Sequence, residues 1–380
     1  MGQRFRLEKL DKKPHNLLLV ISTVAILGTG LAMLLSSSFY RGMILFQDPF
    51  RFFKNQVVFA GVGLGLAYGI SRIPVDFIRK SVPFLLVGSY LSLLLVFVPG
   101  IGLTLMGATR WLNLGFTSIQ PSEFVKITMV LYLAFILSKK QDQLNDLGNT
   151  LLPPFLAAAG FVFLVVIQND FSSAIFMAVM AMLMFFIAGV RMMYFTALVT
   201  ITLPLGLLAL LTEEYRVQRI ITFIAPHRDP TGAGFQVLSS QQALASGGFW
   251  GRGIGQGVRK LGNLPEAYSD FVFAVVGEEA GFIGVLGVVV LFAVFAVAGY
   301  RIAMSRGVSF TGFAAFGLTS LILFQSLTNF AVVVGLIPAT GIPLPFFSSG
   351  GSSLLSTLII VGLLGAFSRQ GDSTLEAENG

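Results

Sequence analysis

The chain contains no cysteine and only two histidines. The first absence removes disulfides and thiolate metal sites, and it says nothing about compartment. The second leaves His15 and His227, both outside the apolar blocks, so a general base in this chain is expected to be a carboxylate. Charge is scarce as well, at 11% of 380 residues. What fills its place is apolar sequence, 55% of the chain with a mean hydropathy of +0.83, arranged in long blocks. Such a composition excludes an ordinary soluble domain and marks a membrane protein.

A bilayer core of about 30 Å needs about 20 apolar residues per helical crossing. The blocks fall at 16–37, 56–72, 81–98, 121–138, 151–167, 171–189, 192–211, 271–299, 309–336 and 351–368, about ten candidate spans. They lack the alternation of barrel strands, and backbone groups in lipid must be satisfied within the segment, so the expectation is an all-α polytopic membrane protein. One transmembrane domain, 1–369, carries a long loop at about 212–270 and a polar tail, 370–380, that is expected to be disordered. The first block follows Arg4, Arg6, Lys9, Lys12 and Lys13, as a signal peptide would. At about 22 residues, without a small-x-small cleavage site, it reads as a retained anchor.

The net charge of +7 does not gather on one face, which argues against nucleic acid. Topology accounts for it better. With both termini in the cytoplasm, the inside segments hold fourteen Lys and Arg against four in the short outside loops. That bias places the 212–270 loop outside the cell. A Gly-rich stretch, GRGIGQG from Gly251, matches part of a nucleotide-binding pattern, but no strand precedes it, so a tightly turned loop is the better reading.

Eighteen acidic residues can be sorted one by one. Glu123, Asp170, Asp270, Glu278 and Glu279 sit at or within spans, where an ionisable group costs a few kcal/mol and demands a function or a partner. Glu123 precedes Lys126 by three residues, one helical face; the pair reads either as a structural ion pair or as an anion site in which Glu123 steadies Lys126. Asp270 opens the eighth span. At about 100° per residue Glu279 points to the opposite side of the helix and Glu278 about 80° away, roughly 12 Å deeper, so the three carboxylates cannot serve one site. Glu278 and Glu279 are expected to pair with interior polar groups.

Three further stretches break the apolar pattern. EEYRVQRIITFIAPHRDPTGAGFQ puts Arg216 and Arg219 at i, i+3, suited to a phosphate-rich head group or to anionic lipid. GATRWLNLGFTSIQPSEFVK strings Arg110, Gln120, Glu123 and Lys126 along one membrane face, with Pro121 opening a helix. GLIPATGIPLPFFSSGGSS, including Ser348, is irregular backbone of the kind that lines a cavity at membrane depth.

Taken in order, GATRWLNLGFTSIQPSEFVK, YRVQRIITFIAPHRDPTGAGFQ, GGFWGRGIG, LPEAYSDFVFAVVGEEAGFIG and TGIPLPFFSSGGSS resemble the SEDS family (shape, elongation, division and sporulation), which includes FtsW and RodA. The resemblance runs to about residue 369. It implies a ten-helix bundle in the bacterial cytoplasmic membrane that polymerises lipid II into peptidoglycan glycan strands on the outer face. The family aspartate of its Pro-Glu-x-x-x-Asp-Phe motif falls on Asp270, which would act as general base. Arg216, Arg219, Lys126, Arg110 and Lys260 would offset the charge of the departing polyprenyl pyrophosphate, with a divalent cation, Mg or Mn, as the one cofactor to consider. Glu123, Gln120 and Ser348 complete the expected substrate-binding set. The implied partners are a class B penicillin-binding protein, a transpeptidase, and other divisome or elongasome membrane proteins.

Three departures stand out. Tyr268-Ser269 replaces the usual His-Thr, Gln168-Asn169-Asp170-Phe171-Ser172 the usual Gln-Pro-Asp-Leu-Gly, and Ser348-Ser349-Gly350-Gly351 a Ser-Tyr-Gly-Gly pattern. VRKLGNLPEA followed by FAVVGEE resembles the division branch more than the elongation branch. Two other functions compete: a lipid II flippase or transporter, and a non-catalytic scaffold for a transpeptidase. Related halves and helices broken near the midplane would favour transport; no such halves are visible, and Asp270 lies near a membrane face.

Overall fold

The computed structural model describes residues 16–369 apart from 106, 116, 144–145, 212, 230–231 and 263. The N-terminal basic stretch and the 370–380 tail therefore lie outside the described residues. Among those described, the chain forms α1 (Asn16–Phe46), α2 (Arg51–Arg72), α3 (Val75–Leu95), α4 (Pro121–Lys139), α5 (Leu152–Ile167) and α6 (Phe171–Ile187). These are followed by α7 (Met192–Leu211), α8 (Glu214–Ile224), α9 (Ala233–Gly247), α10 (Val272–Arg306), α11 (Phe310–Val333) and α12 (Gly351–Arg369). Each of the ten expected spans falls on a helix. Six of them, α1, α3, α4, α10, α11 and α12, are long and apolar enough to cross a bilayer, and α5 and α6 are shorter apolar helices.

Local sequence explains where the helices start and stop. Pro121 opens α4, where a missing N–H costs nothing. Asp170 caps α6 by accepting from Ser173 N at 3.3 Å, and Ser309 caps α11 by accepting from Gly312 N at 3.1 Å. Gly307, at φ 61°, ends α10. The preceding Arg306 donates to the Phe367 and Ser368 carbonyls at 2.8 and 2.7 Å, satisfying the end of α12.

Close packing and lipid exposure divide the surface of the bundle. Gly362 of α12 lies against the Ala67 backbone of α2, and Gly317 of α11 against Met184 and Val130, so a side chain at either position would force helices apart. On the outside, Leu17, Phe84 and Phe163 are 68%, 80% and 63% exposed. Exposure of large apolar side chains on that scale belongs to a surface solvated by acyl chains.

Two features depart from the expected layout, and a third, the long loop, agrees with it. The helices overrun the apolar blocks: α1 continues to Phe46 and α10 to Arg306, because helical hydrogen bonding does not stop where hydropathy falls. Residues 102–119 form a three-stranded antiparallel sheet, β1 (Gly102–Leu105), β2 (Ala108–Asn113) and β3 (Ser118–Ile119), in the order β1-β2-β3. Gly107, at φ 76°, turns the first hairpin, and Leu103 pairs with Trp111 across it. The long loop is no linker either, since α8 and α9 fold within it.

Candidate active site

Asp270 stands just before α10, in the bend Leu264–Phe271. Its position is set from behind by the 335–350 segment. Asn329 of α11 donates from Nδ2 to the Asp270 carbonyl at 2.8 Å and to the Ile342 carbonyl at 3.0 Å, tying the two segments together. Ser348 Oγ donates to the Ser269 carbonyl at 2.7 Å and accepts from Leu344 N at 2.7 Å, while Ser349 N donates to the Tyr268 carbonyl at 2.9 Å. Gln56 of α2 closes the arrangement by donating to the Ser348 carbonyl at 2.9 Å. Two residues beside this knot, Glu266 at φ 53° and Phe346 at φ 67°, adopt left-handed backbone. For a bulky aromatic that is strain, of the kind that persists where surrounding bonds over-determine the chain.

The Asp270 carboxylate itself has few partners. Ser269 Oγ donates to Oδ1 at 3.1 Å, and Gly341 leaves open backbone against Oδ2. Crowding by protein pushes its pKa above the ordinary aspartate value; the Ser269 hydroxyl draws it back, Glu266 raises it, and Arg110 and Arg219 lower it. A carboxylate with a raised pKa and few bonds to its oxygens is suited to taking a proton.

The arginines come from two separate elements, β2 and α8, and meet at the start of α6. β2 carries Arg110, whose Nη1 lies 3.6 Å from Asp170 Oδ1. Gln120, at the end of β3, donates from Nε2 to Asp170 Oδ2 at 3.0 Å. From α8, Arg216 donates to Asn169 Oδ1 at 3.2 Å, with its guanidinium 5.0 Å from the Phe171 ring centre, and Arg219 Nη1 approaches Ser172 Oγ at 3.4 Å. Asn169 takes φ 61°, which an asparagine tolerates, and so turns its amide toward α8. Among the described residues Arg110 Nε is buried with no hydrogen-bond partner, an orphaned donor beside Asp170.

The other expected residues lie elsewhere. Glu123 and Lys126 form a buried pair at 2.8 Å, one and two turns into α4, with Ser356 of α12 donating to Glu123 at 3.3 Å and the ammonium 5.5 Å from the Phe176 ring centre. Lys260 reaches Glu279 instead of Asp270, at 2.5 Å. Ser348 supports the bend behind Asp270, with both its donor and its acceptor already used. Asp170, Asn169, Ser172 and Glu266 belong to the site and were not assigned a role from sequence. The signal was present at Asp170, an acid at a span boundary inside a QNDFS stretch that departs from the family pattern.

Among the described residues no group of three or more His, Asp or Glu side chains is placed to hold a metal ion.

A model of the FtsW, RodA and SpoVE family, described as cell cycle protein, matches residues 17–372. The chain is 37% identical to the probable peptidoglycan glycosyltransferase FtsW of Geobacter metallireducens over 96% of this chain and 97% of that one. It is 39% identical to the stage V sporulation protein E of Bacillus subtilis over 93% and 96% of the two chains. Among solved structures, a chain from work described as structural coordination of polymerization and crosslinking by a peptidoglycan synthase complex superposes at TM-score 0.77 with 27% identity, covering 92% of this chain and 96% of that one. The rod shape determining protein RodA of Thermus thermophilus superposes at TM-score 0.68 with 25% identity, covering 92% and 95%.

Proposed function

The chain belongs to the FtsW, RodA and SpoVE family and is a peptidoglycan glycosyltransferase; from that premise we propose that it polymerises lipid II with Asp270 as general base. The observation that carries the reading is the Asp270 carboxylate itself: bonds from Asn329, Ser348 and Ser349 fix its backbone and that of the two residues before it, while among the described residues Ser269 alone hydrogen-bonds its oxygens. Asp270 removes the proton from the acceptor sugar hydroxyl as that oxygen attacks the anomeric carbon of the donor. The new C–O bond forms on one face while the bond to polyprenyl pyrophosphate breaks on the other, inverting the anomeric centre.

The leaving pyrophosphate develops charge that Arg110, Arg216 and Arg219 are placed to accept, and Arg110 Nε is a buried donor with no bond to give up. Asp170, itself held by Gln120, keeps Arg110 at the start of α6. Orientation in the bacterial cytoplasmic membrane, with both termini inside and the Asp270 end outside, rests on the Lys and Arg bias. A class B penicillin-binding protein is the natural partner, since a strand that is polymerised must also be crosslinked.

Purified protein given lipid II and its transpeptidase partner tests the assignment. Wild type is expected to build glycan strands, and folded Asp270→Ala to build none above background. A flippase would instead move lipid II across vesicles with Asp270→Ala impaired in transport and no strands from wild type.

A further inference from the structure

The two remaining glutamates have a role that the catalytic reading does not use. Glu278 and Glu279 are buried in the first two turns of α10, at 0% and 1% exposure, about 10 Å along the helix from its start at Val272. Their partners are the backbone of the Gly-rich loop. Glu279 accepts from Gly255 N at 2.9 Å and Gly257 N at 3.3 Å; Glu278 accepts from Val258 N at 2.9 Å and Arg259 N at 3.2 Å. Lys260 donates to Glu279 at 2.5 Å, to the Gly255 carbonyl at 2.9 Å and to Ser36 of α1 at 2.7 Å, and Ser36 in turn donates to Glu279 Oε2 at 2.8 Å.

The helix gives way at the same level. Gly281 sits at φ 66° inside α10, and the amides freed by that break, Phe282 N and Ile283 N, donate to the Gly248 and Phe249 carbonyls at 2.9 and 3.3 Å. In return Arg252 N and Gly253 N donate to the Glu278 and Glu279 carbonyls, both at 3.0 Å. Gly247 and Gly251 lie so close to the Gly277 and Glu279 carbonyls that neither position accepts a side chain. The path of the chain follows from these contacts. The middle of α9 lies beside the Asp270 end of α11, where Ser240 Oγ donates to the Val333 carbonyl at 2.9 Å; the chain runs along α10 to the break, turns, and returns to Asp270. Its outward face at the turn presents Phe249, Trp250 and Ile254, 56%, 78% and 64% exposed, while Arg252 between them, also exposed, lies 4.0 Å from Glu278 Oε1.

Irregular backbone at membrane depth survives only where its polar groups are satisfied by protein, and here the two carboxylates satisfy them. We infer that Glu278 and Glu279 are positioning residues that hold 248–260 as a re-entrant loop within the membrane and, through residues 261–269, set the place of Asp270. The inference rests on Asp270 being the base, but its first test does not. Only two tryptophans occur, Trp111 and Trp250, so Trp111→Phe leaves Trp250 as a depth reporter in proteoliposomes. Lipids brominated at mid-chain are expected to quench its fluorescence, and aqueous iodide is not.

Adding Glu279→Gln leaves an amide facing the Lys260 ammonium; Trp250 is expected to become accessible to iodide, and kcat for lipid II to fall about a hundredfold with KM little changed, as small misplacements of a reacting group do. Lys260→Met on that background removes the stranded charge and restores part of both. Quenching of Trp250 by iodide and not by bromolipid in the parent protein would overturn the re-entrant loop. Unchanged depth and kcat in Glu279→Gln would overturn the positioning role. Asp270→Asn separates the two readings: it is expected to abolish polymerisation while Trp250 stays quenched by bromolipid, and if it polymerises normally the base assignment falls while the depth result stands.

Discussion

Two carboxylate sites flank the first turns of α10, and they are built in opposite ways. At Glu278 and Glu279 the acceptor sites are taken by four loop amides, Lys260 and Ser36, and both side chains are sealed from solvent. At Asp270 one hydroxyl contacts the carboxylate, while the effort of the surrounding bonds goes into its backbone: Asn329 on its own carbonyl, Ser348 and Ser349 on the two residues before it. A satisfied carboxylate is a fastener, whereas one whose backbone is fixed and whose oxygens are left open can exchange a proton. The same residue chemistry thus serves structure or reaction according to what its neighbours leave unmet.

The largest effect expected from this contrast is at Asp270. Asp270→Ala in folded protein should lower strand formation from lipid II by about a thousandfold or more, in the range of a lost general base, while Asp270→Glu retains measurable turnover. Arg219→Ala and Arg110→Ala come next, with about a hundredfold loss expected mainly in kcat, since their work is on the leaving charge. Single-turnover kinetics at saturating lipid II would check this; a loss confined to KM would place both arginines in ground-state binding.

Elsewhere the comparison is sharpened by stability. Lys126→Met strands Glu123 in the interior of α4 and should cost about 3 to 5 kcal/mol, whereas the double change with Glu123→Gln should recover most of it. Thermal unfolding in detergent checks both. A smaller effect follows from pH. Asp270 is raised above the usual aspartate pKa, and the base works ionised, so kcat/KM should climb with pH through that raised pKa and then level. Arg219→Ala removes a charge that lowers it, and should move the acid limb to higher pH. Ser348→Ala should be mildest, about 1 to 3 kcal/mol from the unmet Leu344 amide and Ser269 carbonyl, with strand formation reduced only as far as the bend loosens.

Much of this was legible in the chain because it was written in long apolar blocks. Each of the ten expected spans coincides with a helix, and Arg110, Gln120, Arg216 and Arg219 do meet, at the start of α6. The 102–119 sheet was not foreseen, since its polar residues were read only as a break in the apolar pattern between two spans and the pairing of Leu103 with Trp111 depends on a turn at Gly107. Lys260 was assigned to the wrong neighbourhood for a related reason: sequence places it ten residues before Asp270, but the loop turns it toward Glu279. Asp170 shows the limit from the other side. It was recognised as an acid at a membrane boundary, yet its role as the seat of Arg110 and Gln120 arises only when β2, β3 and α6 are brought together.

The most direct test of the central assignment compares wild type with Asp270→Ala, each purified with its transpeptidase partner and supplied with lipid II, by measuring glycan strand length and yield. Strands from wild type and none from the folded variant are the predicted result. Strands of equal length and yield from both would contradict it.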